Sequence, residues 1–293
     1  MIAGRIAAEL EREVLLAETA ALKPWKDHLY QLQQWHEEQA DWSASCGEGW
    51  EIGLWQESGP AGWGEFFQRF AWGDEGTALV LGRVHEQGLR AVLEAVRIRS
   101  VVQAHAEHVQ QPHRLLHQVD ETLWTSSAGE CQAAVWVGRL GRTNSTPSDQ
   151  MQLQYAAAGR MSLVLVTCEG WKSLSEPSPP LAARPKPSAA STGPLGKPLE
   201  SDREIPQYKN PRHRLRRGET LVIFPAVEAR AEATAIRGGR GDDRLRQMEA
   251  QLAEHLRGRL DKPAPQLAEL AQKFLERQDI GLLPQSLLVL KAR

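Results

Sequence analysis

Residues 63–88 read WGEFFQRFAWGDEGTALVLGRVHEQG, and the fold follows from how this stretch is parsed. Aromatic residues at Trp63, Phe66, Phe67, Phe70 and Trp72 run into the turn letters Gly73-Asp74-Glu75-Gly76, and an apolar run from Ala78 to Leu81 comes next. Two strand-like runs around a glycine-bearing turn predict a β-hairpin. The second strand is expected to stop at Gly82. After the polar bend His85-Glu86-Gln87-Gly88 a helix-forming run opens at Leu89, so strand, bend and helix start converge on one point. Ligands and metals gather at such junctions, and a site is expected between the two strands and the bend.

The chain has 293 residues, a formal net charge of -2 and 41% hydrophobic residues, an ordinary composition for one large domain or a medium one with an appendage. Near-neutral charge gives no reason to expect nucleic acid or an anionic membrane as partner. No apolar run approaches the ~20 residues that span a bilayer, and acids occupy the first residues where a signal peptide would be apolar. A cytoplasmic protein is expected. Cys46, Cys131 and Cys168 are few and far apart, which favours free thiols over disulfides or a zinc knot.

Outward from the hairpin, Ile2 to Leu22 and Trp25 to Gln39 carry apolar residues at helical spacing, and they form an expected N-terminal helical segment over residues 1–40. Packing on the main domain is its plain use, and homodimer formation is the sharper one. Residues 41–293 make up the main domain. Trp50–Trp55 predicts a strand, and seven of the ten tryptophans lie between Trp25 and Trp72, where core packing is their expected use. Leu89 to Gln110 predicts a helix with Leu89, Val92, Leu93, Val96 and Val101 inward, and Pro112 opens another through Trp124. His113 and His117 on it stand at i, i+4, a metal-ligand spacing that no nearby Cys or spaced acid completes.

Cys131–Leu140, Met151–Ala157 and Met161–Thr167 predict three strands, so helices in a row followed by strands give an α+β class. Residues 172–214 are rich in Pro, Ser and Ala. Such a composition predicts disorder over 173–190 and flexibility to about 214. Arg212, His213, Arg214, Arg216 and Arg217 form a basic knot within it, read as a solvated surface. Leu221–Phe224 predicts a short strand, Val227–Ala235 a mild helix, Asp242–Leu256 and the run to Arg277 two helices, and Ser286–Leu290 a closing strand.

Six short strings stand in a telling order: Gly62-Trp63-Gly64-Glu65-Phe66-Phe67-Gln68, Leu81-Gly82-Arg83-Val84-His85-Glu86-Gln87-Gly88, Ala157-Ala158-Gly159-Arg160, Ser191-Thr192-Gly193-Pro194-Leu195-Gly196, Leu215 to Ala226, and Ser286 to Leu290. Together they resemble the metal-dependent (PPM-type) serine/threonine protein phosphatases, in the bacterial branch named for the stage II sporulation protein E. That branch carries GGDFYD-like, DVSGHG, NAGH, STGxPLG, LxxGDxLLLYTDG and DDITLLVL strings. The resemblance implies a two-sheet antiparallel β-sandwich flanked by helix pairs, with the active site at one edge.

In that family, acids hold two Mn²⁺ or Mg²⁺ ions that activate a bridging water against a phosphoserine or phosphothreonine. Carried over, the Asp of the first string is Glu65. The Asp of the second is Arg83, preceded by Gly82. The Asp of the fifth is Ala226, and the terminal pair falls on Leu283 and Pro284, although a shifted match would restore Asp279. Hard divalent ions need several oxygen ligands, and a guanidinium repels them. No cofactor is therefore expected, and Arg83 is expected to pair with Glu65. These residues imply a catalytically inactive relative that binds a protein partner, a phosphorylated one included. Two other readings stand beside it: an active Mn- or Mg-dependent phosphatase with a displaced site using Glu65, Asp279, Glu86 or Glu228, and a self-associating structural module.

Overall fold

The computed structural model describes residues 49–57, 64–73, 76–86, 88–127, 132–141, 150–183, 207–226, 240–277 and 285–293. The expected N-terminal helices, the mild helix at 227–235, Glu228, Asp279, Leu283 and Pro284 lie outside them. Two antiparallel five-stranded sheets face each other. The first runs β1 (Trp50–Gln56), β10 (Ser286–Ala292), β9 (Thr220–Pro225), β6 (Met161–Val166), β7 (Trp171–Ser173); the second runs β2 (Glu65–Ala71), β3 (Gly76–Val84), β4 (Ala133–Gly141), β5 (Gln150–Ala158), β8 (Arg212–Arg216). Helices α1 (Gly88–Ala106) and α2 (Pro112–Ser127) cover the outer face of the second sheet, and α3 (Arg240–Arg257) and α4 (Ala264–Glu276) that of the first.

Strand alternation builds this four-layer arrangement. In β3, Ala78, Val80 and Val84 meet the helices α1 and α2, whereas Leu79 and Leu81 are buried on the opposite face, toward the other sheet. In β9, Val222 and Phe224 likewise meet α3 and α4, leaving Leu221 and Ile223 inward. Because both faces of the central strands are covered, they read as continuous apolar runs.

The hairpin is present, but its second strand extends past Gly82 to Val84. Gly82 lies opposite Phe66, and a Cβ there would stand 2.3 Å from the Phe66 ring. Glycine therefore marks a close packing contact inside the strand and not its end. On α1 the buried residues are Ala91, Val92, Ala95, Ile98, Val102 and Ala106, while Leu89 and Leu93 are exposed. Small side chains let the helix approach the sheet closely, so the alanines and not the larger leucines take the inner face.

The expected disorder does not hold for residues 173–183. Leu174 N–H donates to Leu163 O (2.8 Å), Pro179 O accepts from Gly159 N–H (2.8 Å) and Leu181 N–H donates to Ala133 O (2.9 Å). Leu181 and Ala182 are fully buried. The prolines remove three donors, and Leu174 and Leu181 tie the segment to the strands β6 and β4. Further along the chain, Tyr208 is buried and Arg212–Arg216 form β8. The buried Asp120 of α2 ties both flanks together, since its Oδ1 accepts from Ala182 N–H (2.7 Å) and Tyr208 OH (3.2 Å).

Candidate functional site

Glu65 opens β2 and Arg83 is the next-to-last residue of β3, and the antiparallel register sets them directly opposite each other. Both share a strand face with Leu81, Leu79 and Phe67, the face that looks toward the other sheet. Arg83 Nη1 donates to Glu65 Oε1 at 3.0 Å. The Glu65 side chain is fully buried, and 19% of the Arg83 side chain remains exposed.

A second donor reaches the same oxygen from the opposite sheet: Gln285 N–H, just before β10, donates to Glu65 Oε1 at 3.1 Å. Gln56 Nε2, at the end of β1, donates to the Glu65 main-chain carbonyl at 3.1 Å. Glu65 thus joins the ends of β1, β2, β3 and β10 at one edge of the sandwich. The sequence reading missed Gln285 and Gln56. Their only trace in the sequence is that each is a polar residue at the end of an apolar strand.

Burial pushes the Glu65 carboxyl up to about 7, against the opposing pull of the Arg83 charge, the Ser286 hydroxyl and the Gln285 amide. Ser286 favours the charged form by proximity, yet neither its Oγ nor Glu65 Oε2 completes a hydrogen bond of good geometry. Geometry decides whether a hydroxyl stabilises a carboxylate, so the Ser286 hydroxyl contributes little here.

Of the other expected positions, Gly82 packs under Phe66, and Ala226 follows β9 with its N–H donating to Arg160 O at 3.0 Å. Glu86 is half-buried and follows the exposed His85, whose N–H donates to Gln132 O at 2.9 Å. Asp279, Glu228 and Pro284 are not among the described residues, so nothing here joins them to Glu65. Among the described residues, no three His, Cys, Asp or Glu side chains gather in one place. His113 and His117 sit on α2 with buried, unpartnered Nδ1 atoms and without a third ligand among the described residues.

The described residues do not fit a divalent ion. Glu65 is one carboxylate, its Oε1 is held by a guanidinium and an amide, and its Oε2 is a single oxygen where a hard ion takes about six. Arg83 and Ala226 supply no ligand oxygen from their side chains.

The paired five-stranded sheets between two helix pairs define the class as a PP2C-type phosphatase fold. The family model described as stage II sporulation protein E (SpoIIE) matches residues 73–279, more than half of the chain, and the chain belongs to that family. Its fold is similar to the SiaA-PP2C domain of Pseudomonas aeruginosa, with TM-score 0.61 and 19% identity over 94% of this chain and 98% of that one. It is also similar to the RsbU and RsbW domains of a Mycobacterium tuberculosis protein, with TM-score 0.55 and 18% identity over 84% of this chain and 60% of that one. A third similar structure holds the PP2C phosphatase domain and a regulatory-domain fragment of SpoIIE from Bacillus subtilis, with TM-score 0.54 and 9% identity over 84% and 65%. No curated protein matches the chain in sequence. Among the described residues, no helix is long and apolar enough to cross a membrane.

Proposed function

We propose that this SpoIIE-family chain is a pseudophosphatase, a non-catalytic binding or regulatory module of cytoplasmic signalling. The observation that carries the reading is the Glu65–Arg83 pair, 3.0 Å long and set on facing strands at the sandwich edge where the resemblance puts the family's metal-holding acids. The hydrogen-bonded Glu65–Arg83 contact takes the place of the cations there. Without a metal, water keeps a pKa near ~15.7 instead of ~7, and no hydroxide nucleophile forms at neutral pH.

The partner is a protein, and a phosphorylated segment of it is the natural ligand of a fold descended from phosphatases. Nucleic acid and membrane are not expected partners at a net charge of -2. The test is a calorimetric titration of the whole chain with Mn²⁺, together with p-nitrophenyl phosphate hydrolysis in its presence. Neither saturable uptake nor hydrolysis above buffer is expected. Turnover that disappears in Glu65→Ala would instead establish an active enzyme with a displaced metal site.

A further inference from the structure

The basic knot of the sequence folds as β8, at the lateral edge of the second sheet, with β3, β4 and β5 between it and β2. It lies well apart from the Glu65–Arg83 site. Arg212, Arg214 and Arg216 are exposed, whereas Leu215 between them is buried. Alternation along a strand therefore puts the three guanidinium groups on one face, about 7 Å apart.

The backbone of the same residues faces outward. Tyr155 N–H donates to Pro211 O at 3.2 Å, one step beyond the last β5–β8 pair Gln154↔Arg212, so that step is a hydrogen-bonded position of the ladder. Opposed pairs in an antiparallel ladder alternate between bonded and non-bonded. Arg212 and Arg214 thus occupy non-bonded positions, with N–H and C=O turned to the edge that no strand covers among the described residues. At Arg216 these groups are already used, because its N–H donates to Glu219 Oε2 (3.0 Å) and its carbonyl accepts from Glu219 N–H (3.0 Å).

None of the three guanidinium groups makes an ion pair among the described residues. Nearby carboxylates are engaged elsewhere: Glu219 on the Arg216 amide, and Glu176 with Lys209 at 2.9 Å. Arginines on an edge strand deter pairing with a second copy of the same strand. That repulsion reverses for a strand of opposite charge.

We propose that the open edge of β8 receives an extended acidic segment of another protein, which adds to the sheet beside Arg212 and Arg214 and sets its carboxylates against the arginine row. Backbone bonds would supply the docking, and charge the selectivity. The probe is a fluorescent peptide alternating glutamate with valine, read by anisotropy against the whole chain. Binding is expected, weakening steeply as NaCl rises and falling about tenfold or more in the double variant Arg212→Glu, Arg214→Glu.

A lysine-for-glutamate peptide, and an acidic peptide N-methylated on alternate amides, should both fail to bind. Circular dichroism and the melting temperature report whether the variants fold, and Arg212→Gln with Arg214→Gln serves as the milder pair. Equal binding by the folded charge variants, or no binding at low salt, overturns the proposal. So does undiminished binding of the N-methylated peptide, or a stronger arginine-dependent affinity for anionic vesicles or single-stranded nucleic acid.

Discussion

Removing Arg83 would leave the buried Glu65 carboxylate with the Gln285 amide as its hydrogen-bond donor. A buried ion pair broken from one side costs roughly 3–5 kcal/mol, but here the cost depends on pH. The Glu65 pKa of about 7 lies above its ordinary 4.5, so the folded state holds a proton that the unfolded chain has released between those values. Stability from this group is full below about 4.5 and is lost as pH rises toward 7. Taking away the Arg83 charge moves the carboxyl higher still. Arg83→Ala should therefore cost about 3 kcal/mol at pH 8 and clearly less at pH 5, and urea midpoints at the two pH values check this. An equal loss at both would remove the electrostatic account. Glu65→Gln, which cannot titrate, should flatten the pH dependence of the parent over the same window.

Two elements depend on carboxylates that come from elsewhere in the chain. Pro263 precedes α4 without a side-chain cap, and Glu51 of β1 supplies the missing acceptor, its Oε2 taking Ala264 N–H at 2.9 Å. Asp120 of α2 does the same for the two flanks at Ala182 and Tyr208. Hydrogen bonds to charged groups contribute about 1.5–3 kcal/mol each, so Asp120→Ala should lower stability by about 3 kcal/mol, measured by denaturant melts. A loss within ~0.5 kcal/mol, the level of an ordinary surface change, would show that the flanks hold without it. Neither tie is legible in the sequence, because Glu51 and Ala264 are 213 positions apart and only the fold brings them together. The hairpin was legible, since its aromatic and apolar runs flank a turn. On α1 the inward placing of Val92 and Val101 holds while that of Leu89 and Leu93 does not, because hydrophobicity ranks Leu93 above Ala95 while close approach to a sheet favours the smaller residue. Strand β8 was hidden by its arginines, which mask the alternation that Leu215 alone marks.

At the scale of the molecule, the chain closes on itself. β10, the last strand, lies between β1 and β9, and all seven of its residues face a partner in β1 from Trp50↔Ala292 to Gln56↔Ser286. A chain ending at Pro284 would lose an inner strand, strip α4 of its packing against Leu287 and Val289, and remove the Gln285 donor from Glu65. Such a truncation should show no cooperative unfolding transition by circular dichroism. A sharp melt like that of the whole chain would mean the first sheet does not need β10.

By itself the sequence determined the α+β class, the order of the main strands and helices, and the opposite charges at positions 65 and 83, because apolar period and charge are local properties of the chain. Only the tertiary structure decided that those charges meet at 3.0 Å, that Glu65 is sealed from water, and that Gln285 reaches it from the other sheet. Register and burial arise when distant strands pack together, and they alone turn two ionisable letters into one buried pair with a shifted proton equilibrium.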